Sequence, residues 1–487
     1  MFHRSGKIFF FLLCSWLSAT AILFAGAVNA QLCSGSLGDP VVNINFGSAA
    51  STGPGYSAPG YSYTASSCPN DGYYTITSST SGCFGNAWHT VNADHSGNGN
   101  FMLVNASYTP ADFFLYTVRG LCPNTNYEFS AWIMNVLLSP TGIKPDLTFK
   151  IETTAGAVLF TYNTGSISVT PQPVWKQYGF YFSTTSGISE VVLRITNNAP
   201  GGIGNDLAID DIGFRPCGPV INAAISGSSG QEKEVCVDKQ LNYSFTSQIS
   251  AGYVSPFFQW QLSKDSGNTW SDIPGANNPV YLRAPSAAGN FWYRMTVAET
   301  GNEGIPSCRI ASNALRIKVQ PPPVVNAGPD RILIRGRSAQ MQGSVSGPDL
   351  SLKWSPADFL SSTNIPDPVV NPFQSTYYQL EAISSSGCTN ADWVWIKVVD
   401  DIFIPTAFTP NNDGKNDQWR IPYLEAMANA TVTVYNRYGQ LVYRAHGSEV
   451  KWDGTLGGVP QDTGTYVYLI HFANGDPDRK GTFTLIR

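Results

Sequence analysis

The chain has 487 residues, of which 43% are hydrophobic and only 13% are charged, and it is rich in glycine and aromatic residues. Charged residues are about half as frequent as in an average soluble domain, and this balance favours short strands and turns over surface helices. The formal net charge of -5 provides no basic surface field, so nucleic acid is excluded as an expected partner.

Residues 1–30 have the pattern of a secretory signal peptide. A short cationic start precedes an apolar run over residues 8–24, and a small-residue cleavage site ends at Ala30. The mature chain is therefore expected to begin at Gln31, to enter an oxidising compartment and to contain no transmembrane segment. Its length predicts three to four domains.

Residues 31–218 predict one large all-β domain. Runs such as YEFSAWIM (127–134) and VVLRIT (191–196) alternate apolar and polar residues, with turn signals between them and no helical period. One buried face and one open face per strand is the pattern of a β-sandwich.

Three parts of this stretch are similar to a known class of module. GLCPNTNYEFSAW (120–132), the pair Trp88 and His89, and GNDLAIDDIGF (204–214) resemble jelly-roll carbohydrate-binding and galactose-binding-like modules. The resemblance implies a jelly roll that binds glycan and carries a structural calcium ion beside an Asp-bearing last strand.

Eight cysteines remain once the signal peptide is removed, an even number that favours disulfides in an exported chain. The first and last strands of a jelly roll are often neighbours, so Cys33 is expected to pair with Cys217. Cys68 and Cys83 would close a surface loop. Cys122 then has no partner within the domain.

Residues 219–320 predict a second β-domain. Trp260 lies in an alternating strand between Cys236 and Cys308, and this arrangement resembles an immunoglobulin-like (Ig-like) sandwich with a cross-sheet disulfide. The expected Cys236–Cys308 bond would contribute roughly 4 kcal/mol on the loop-entropy model. The spacing from Cys236 to Trp260 is longer than in antibody domains, so the topology stays open.

Residues 321–398 begin within a proline-rich linker at 319–325 and predict a third, smaller β-module. The stretch resembles the PKD-like and Ig-like repeats that often precede the type of C-terminal domain described below. Cys388 stands alone in this module and is expected to be a buried thiol.

Glycan binding requires an aromatic platform with hydrogen-bonding neighbours, because a sugar presents an apolar C–H face and a rim of hydroxyls. Strand alternation places Trp132 on the face opposite Phe129, and this face is open if Phe129 is in the core. The alternative is that the tryptophans pack inside the sandwich. The candidate ligand-binding residues are Trp132, Glu128, Trp88, His89, Tyr178 and Arg194.

A calcium site is expected near the last strand of the first domain. Alternation places Asp210 on the same face as Ala208, Ile212 and Phe214, and a carboxylate on an apolar face needs a partner such as calcium. The alternative is that the carboxylates accept hydrogen bonds from turn amides. The candidate metal ligands are Asp210, Asp94, Asn45 and Asp211.

Residues 399–487 carry the most specific motifs of the chain, within PTAFTPNNDGKNDQW (405–419), VTVYNRYGQLVY (432–443) and KWDG (451–454). These motifs resemble the gliding-motility-associated C-terminal domain, the type B sorting domain of type IX secretion. The resemblance implies a small β-sandwich that engages the type IX secretion machinery and an outer-membrane partner. The residues that carry it are Asn411, Asp413, Gly414, Asp417, Asn436, Arg437, Gly439, Trp452, Asp453 and Gly454.

The loop at 411–417 looks like a calcium loop but fails as an EF-hand. With Gly414 in the position of the loop glycine, Thr409 occupies the first ligand position and Arg420 the last, where Glu is required. An Asx-rich turn is the favoured interpretation.

The sequence therefore predicts tandem β-sandwiches in an extracellular or cell-surface protein that is not an enzyme. The favoured function is glycan binding or adhesion through the jelly roll, with the middle modules as a stalk. The first alternative is a structural or protein-binding adhesin that uses exposed aromatics such as Trp292, Trp393 and Trp395. The second is a polysaccharide-active enzyme, although the chain lacks HExxH and GxSxG motifs.

Overall fold

A computed structural model describes residues 32–48, 55–97, 99–239, 242–427, 429–447 and 450–487, with the backbone alone at Asp238. The predicted signal peptide lies outside these residues. The protein is all-β, as predicted, and the helices of the described part are three short 3-10 turns: Val237–Lys239, Pro306–Cys308 and Leu424–Ala426. The chain divides into two compact units. The first contains the described residues up to Asn222 together with 248–258 and 296–312, and the second contains the rest.

Twelve strands precede residue 219 in the first unit. They are β1 Ser36–Leu37, β2 Val42–Ile44, β3 Ser62–Tyr63, β4 Tyr73–Thr77, β5 Phe101–Asn105, β6 Ala111–Arg119, β7 Asn126–Asn135, β8 Asp146–Glu152, β9 Val158–Ser166, β10 Lys176–Ser183, β11 Glu190–Asn197 and β12 Leu207–Gly218.

These strands form two sheets. The larger has the order β10-β7-β12-β5-β4-β3, and β1 and β2 also pair with β12, while the smaller has the order β6-β11-β8-β9. The sheets pack face to face through one apolar core, in which the rings of Phe129 on β7 and Phe149 on β8 have centroids 5.0 Å apart. Every second residue of a strand points into this core, and this explains why apolar and polar residues alternate along the strands.

Strand β12 changes one of its partners along its length. It pairs with β7 on one side, whereas on the other side residues 207–209 pair with β5 and residues 212–214 pair with β2. The β7–β12 register shifts between Asp210 and Gly213, and Asp211 has a left-handed backbone with φ 45°. A β-bulge therefore sits where the partner changes.

The bulge overturns one sequence prediction. Ala208 belongs to an apolar cluster on the outward side of the sheet, while Ile212 and Phe214 lie in the sandwich core. The predicted grouping of Asp210 with Ile212 and Phe214 on one face is wrong, because the extra residue of the bulge reverses the alternation after Asp210.

Nine strands lie between residues 221 and 320. They are β13 Ile221–Ile225, β14 Glu232–Cys236, β15 Tyr243–Ile249, β16 Pro256–Ser263, β17 Ser271–Asp272, β18 Val280–Arg283, β19 Gly289–Glu299, β20 Ile310–Ala311 and β21 Leu315–Gln320. Trp260 is fully buried there, its indole N–H donates to the carbonyl of Asn278 at 3.0 Å, and Phe245 packs against it.

Eight strands follow, up to residue 399. They are β22 Val324–Asn326, β23 Arg331–Ile334, β24 Ala339–Gln340, β25 Ser344–Ser346, β26 Leu350–Ser355, β27 Val369–Val370, β28 Thr376–Ser384 and β29 Thr389–Val399. Trp354 is the large buried residue of this core. Of the three tryptophans expected to be exposed, Trp393 is 56% exposed, whereas Trp292 and Trp395 are half-buried.

Nine strands form the C-terminal part. They are β30 Ala407–Phe408, β31 Trp419–Arg420, β32 Ala430–Tyr435, β33 Leu441–His446, β34 Lys451–Trp452, β35 Thr455–Leu456, β36 Val459–Pro460, β37 Gly464–Phe472 and β38 Arg479–Leu485. The main sheet has the order β30-β38-β37-β32-β33. Its core is aromatic, since Trp419 stacks on Phe483 with centroids 4.1 Å apart and Trp452 is 1% exposed.

All eight cysteines of the described residues form disulfides. The bonds are Cys33–Cys217, Cys68–Cys83, Cys122–Cys308 and Cys236–Cys388. The first two are the pairs that the sequence predicted.

The predicted Cys236–Cys308 bond is wrong, as is the expectation that Cys388 is a buried thiol. Cys122 has no partner within residues 31–218, as expected, and bonds to Cys308 outside them. Aromatic side chains around Trp260 fill the core that a cross-sheet disulfide would occupy. Cys308 instead lies in a 3-10 turn and Cys236 at the end of β14, where each reaches a cysteine from another stretch of the chain.

Candidate functional site

The outward face of the larger jelly-roll sheet carries the candidate site. Strand pairing aligns Gln177 of β10, Trp132 of β7 and Asp210 of β12 in one row across this face. Phe129 and Ala131 of β7 are buried in the sandwich core, so the alternation turns Trp132 outward. Trp132 is partly exposed.

The next row along the same face has short side chains. Asn43 pairs with Gly213, Gly213 with Ser130, and Ser130 with Gly179. A Cβ added to Gly213 would be in ordinary van der Waals contact with Ser130 Oγ and the Val42 carbonyl oxygen, both 3.9 Å away. This row of short side chains beside Trp132 is called the trough below.

His95 fixes the orientation of the Trp132 indole. The two rings stack with centroids 3.8 Å apart and an interplanar angle of 15°. The His95 backbone N–H donates to Asp210 at 3.0 Å, and its Nδ1 lies 2.6 Å from Asp211 Oδ2. His95 was not predicted to bind ligand, because its loop carries no periodicity that could place it beside Trp132.

Asp210 is fully buried, and its Oδ1 atom has no hydrogen-bond partner. Burial, with a further contribution from the charge of Asp211, raises the pKa of this carboxyl to about 7, although the hydrogen bond from the His95 N–H acts in the opposite direction. The site therefore favours neutralisation of Asp210 by a proton or by a cation.

Two of the four predicted calcium ligands, Asp94 and Asn45, accept hydrogen bonds within their own turns. Asp94 accepts hydrogen bonds from the Gly97 N–H and the Ser96 hydroxyl, which lowers its pKa, and Asn45 is exposed and accepts from the Gly47 N–H at 3.2 Å. Among the described residues, no three His, Cys, Asp or Glu side chains form a group that could hold a metal ion. The turn-capping alternative for Asp94 matches this geometry.

The N-terminal segment closes one end of the trough. A Cβ on Gly179 would lie 2.8 Å from Leu32, so Leu32 covers this glycine. The Cys33 N–H donates to Glu128 at 2.8 Å, and Glu128 is only 5% exposed. Glu128 therefore lies on the outward face but is engaged by the chain's own backbone.

Trp88 and His89 are buried rather than available to a ligand. Trp88 is 3% exposed, and its indole N–H donates to Asp206 at 2.9 Å. His89 is 4% exposed, and its Nε2 lies 3.0 Å from the carbonyl of Thr170. Both predicted ligand-binding roles are replaced by packing, the alternative that sequence analysis had left open for Trp88.

Tyr178 and Arg194 also lie away from Trp132. Tyr178 packs against the sandwich core, and burial raises the pKa of its hydroxyl. Arg194 lies on β11 of the other sheet, where it bonds Glu152 at 3.0 Å and Asp112 at 2.6 Å. Of the six predicted residues, Trp132 and Glu128 lie on strands of the candidate face, and Trp88 packs on the same side of the sheet but is buried in the cluster that contains Ala208.

The loop at 411–417 in the C-terminal domain is held by its own backbone. Asp417 accepts hydrogen bonds from the N–H groups of Asn412 and Gly414, and Asp413 accepts from Lys415. Asn412 and Gly414 have positive φ, at 63° and 82°. These bonds use the carboxylates as turn acceptors, which is the geometry of an Asx-rich turn.

The other two motifs of this domain also build turns. Asn436 accepts from the N–H groups of Tyr438 and Gln440, and Gly439 has φ 78°. Asp453 accepts from Thr455, and Gly454 has φ 77°. Arg437 is exposed next to Tyr438, with its guanidinium 5.0 Å from the ring centroid.

Residues 402–485 match the family described as CHU_C Type IX secretion signal domain. The C-terminal domain is a type IX secretion signal domain. This confirms the resemblance found in the sequence, and the secretion signal domain implies export to the cell surface or the medium. Residues 225–321 match a domain of unknown function, DUF8696. No curated protein matches the chain.

Solved structures similar to the chain include a carbohydrate-binding domain and fibronectin(III)-like modules. The CBM22-1 xylan-binding domain from Paenibacillus barcinonensis Xyn10C is 14% identical, with 38% of this chain and 97% of that chain covered and a TM-score of 0.21. The fibronectin(III)-like modules of Clostridium thermocellum CbhA are 13% identical, with 36% of this chain and 93% of that chain covered and a TM-score of 0.19.

None of the helices in the described residues has the length and apolarity needed to cross a bilayer.

Proposed function

We propose that this exported protein is a non-enzymatic carbohydrate-binding protein of the cell surface or medium, and that it binds saccharide in the trough beside Trp132. The observation that carries the proposal is the partly exposed Trp132 indole, which His95 holds in a fixed plane beside a row of short side chains. A fixed aromatic side chain next to short side chains suits the apolar C–H face of a sugar ring.

Neutral polar groups border the trough. Gln177 and Asn43 are exposed at its two sides, and Ser130 lies on its floor. Amide and hydroxyl groups of this kind both donate and accept hydrogen bonds, as sugar hydroxyls require. The residues that pair with Trp132 and Ser130 across this face include no Lys or Arg, and Arg215, one row further along, donates to the Gly38 carbonyl, which favours a neutral ligand over an anionic one.

Binding of neutral oligosaccharides to the mature chain tests the proposal. Trp132→Ala should weaken binding by at least about tenfold, a loss of about 1.4 kcal/mol. His95→Ala should cause a smaller loss, because it removes only the group that orients the indole. Trp393→Ala is the matched control, since it removes an exposed tryptophan from the second unit.

Three results would contradict the proposal. They are wild-type protein that binds no saccharide, Trp132→Ala protein with unchanged affinity, and turnover of a polysaccharide by the purified chain. Specific binding of a surface protein without saccharide would support the adhesin alternative.

We also propose that calcium, when present, replaces the proton on Asp210. The buried Oδ1 without a hydrogen-bond partner supports this, because calcium takes oxygen ligands from carboxylates, backbone carbonyls and water. Bound calcium would supply charge neutralisation there and would act only on stability.

A further inference from the structure

A second cleft lies in the first unit, apart from Trp132. Its volume is about 390 Å³, at the lower end of the range of roughly 300–1,000 Å³ that small-molecule sites occupy. The walls come from the N-terminal segment at Ser34, from β7 and β10 at Asn126 and Tyr181, and from the loop at 250–253. All of these residues belong to the first unit.

Covalent and hydrogen bonds fix the walls of this cleft. The Cys33–Cys217 disulfide joins the N-terminal segment to the end of β12. The Val220 N–H donates to the Ser250 hydroxyl at 3.0 Å, which holds the 250–253 loop against the chain that leaves β12. A ligand therefore meets walls that are already in place, which reduces the entropy cost of binding.

Two glycines, Gly218 and Gly252, allow the 250–253 loop to pack closely against residues 218–219. A Cβ on Gly218 would lie 2.7 Å from the Tyr253 hydroxyl oxygen, and a Cβ on Gly252 would lie 2.6 Å from Pro219. Gly252 also has φ 150°. Larger residues at these positions would push the walls apart.

The lining selects the class of ligand. It includes no charged residue, which disfavours phosphate and other ionic ligands. Tyr181 is 51% exposed and offers an aromatic face, while Asn126, Ser34 and Ser250 offer amide and hydroxyl groups at exposed positions. A neutral ring with many hydroxyls fits this combination, because it presents both C–H faces and hydrogen-bonding edges.

We propose that this cleft is a second saccharide-binding site, built around Tyr181 and separate from the trough beside Trp132. Leu32 over Gly179 and the Cys33–Glu128 hydrogen bond place the N-terminal segment between the two sites. Tyr181 pairs with Glu128, four residues from Trp132 along β7, which is roughly 13 Å. The inference takes its ligand class from the proposed function but does not depend on Trp132.

The test is titration calorimetry on the mature chain with neutral hexasaccharides of glucose, xylose or N-acetylglucosamine as probes. In a Trp132→Ala background, Tyr181→Ala should remove the remaining binding or weaken it at least tenfold. In the wild-type background, it should reduce the number of bound saccharides from two to one. Ala251→Trp, which fills the cleft from its rim, should have the same effect. Tyr438→Ala is the control, because Tyr438 is a 78% exposed tyrosine of the C-terminal domain.

The outcomes separate the two proposals. If Trp132→Ala abolishes all binding and Tyr181→Ala changes nothing, the cleft is not a saccharide site and the trough still is. If Tyr181→Ala abolishes binding and Trp132→Ala does not, the cleft is the site and the trough is not. Wild-type protein that binds none of the probes would overturn both proposals.

Discussion

Replacing Asp206 with Asn should stabilise the first unit near pH 8 and change its stability little near pH 4. Asp206 is 3% exposed, and burial raises the pKa of its carboxyl to about 7 even though the Trp88 indole donates a hydrogen bond to it. In the unfolded chain the pKa returns to near its ordinary value of 3.8. Between these values the native state keeps a proton that the unfolded state has released, so stability falls as the pH rises from about 4 to about 7.

The size of the effect follows from the pKa difference. About three pKa units, at about 1.36 kcal/mol each, correspond to a loss of about 4 kcal/mol that is complete above pH 7. Asn keeps an oxygen that accepts the hydrogen bond from Trp88 and carries no charge into the core. Asp206→Asn should therefore remove the pH dependence and gain up to about 4 kcal/mol near pH 8.

The assay is urea unfolding of the mature chain with EDTA present, near pH 4.5, 6 and 8. Asp94→Asn is the control of opposite sign. Hydrogen bonds from Ser96, Gly99 and Gly97 outweigh burial and lower the pKa of Asp94, so its contribution is present at neutral pH and is lost on acidification. If Asp206→Asn destabilised the protein near pH 8, or changed stability equally at every pH, the reasoning would be wrong.

Three further predictions concern calcium, an ion-pair cluster and the secretion signal. Calcium should raise the melting temperature of wild-type protein near pH 8 and should not affect Asp210→Asn; identical wild-type melting in calcium and EDTA would exclude the proposed ion. Arg194→Ala should lower the free energy of unfolding by about 2 kcal/mol, because it leaves the 7% exposed Glu152 without its partner. Arg194→Lys should recover only part of that loss. A loss below about 0.5 kcal/mol in Arg194→Ala would show that the ion-pair cluster is dispensable. Deletion of residues 402–487 should leave the protein in the periplasm by cell fractionation, and its arrival at the surface would disprove the sorting role.

Strand alternation was enough to predict the fold class and the outward face of β7. Apolar and polar residues alternate from Tyr127 to Ala131, and the structure places Phe129 in the core and Trp132 outside it. Local motifs were equally informative in the C-terminal domain, because Asx and glycine turns depend on neighbouring residues only.

The sequence predictions that were wrong concern features that depend on contacts between residues far apart in the chain. Alternation could not reveal the bulge after Asp210, which arises where β12 changes partners. It could not show that Trp88 lies beneath loops or that His95 reaches Trp132. The disulfide partners of Cys236 and Cys308 lie in other modules, so pairing within one predicted domain could not find them.

The order of those last two disulfides along the chain has a mechanical consequence. The Cys122–Cys308 and Cys236–Cys388 bonds interleave, so three segments, 122–236, 236–308 and 308–388, connect the same two cystines in parallel. If the chain is pulled from a point before Cys122 and a point after Cys388, the distance between the cystines cannot exceed the contour length of the shortest segment, 236–308. The residues between the cystines can then lose their non-covalent contacts without extending to their full length, because the shortest segment becomes taut first.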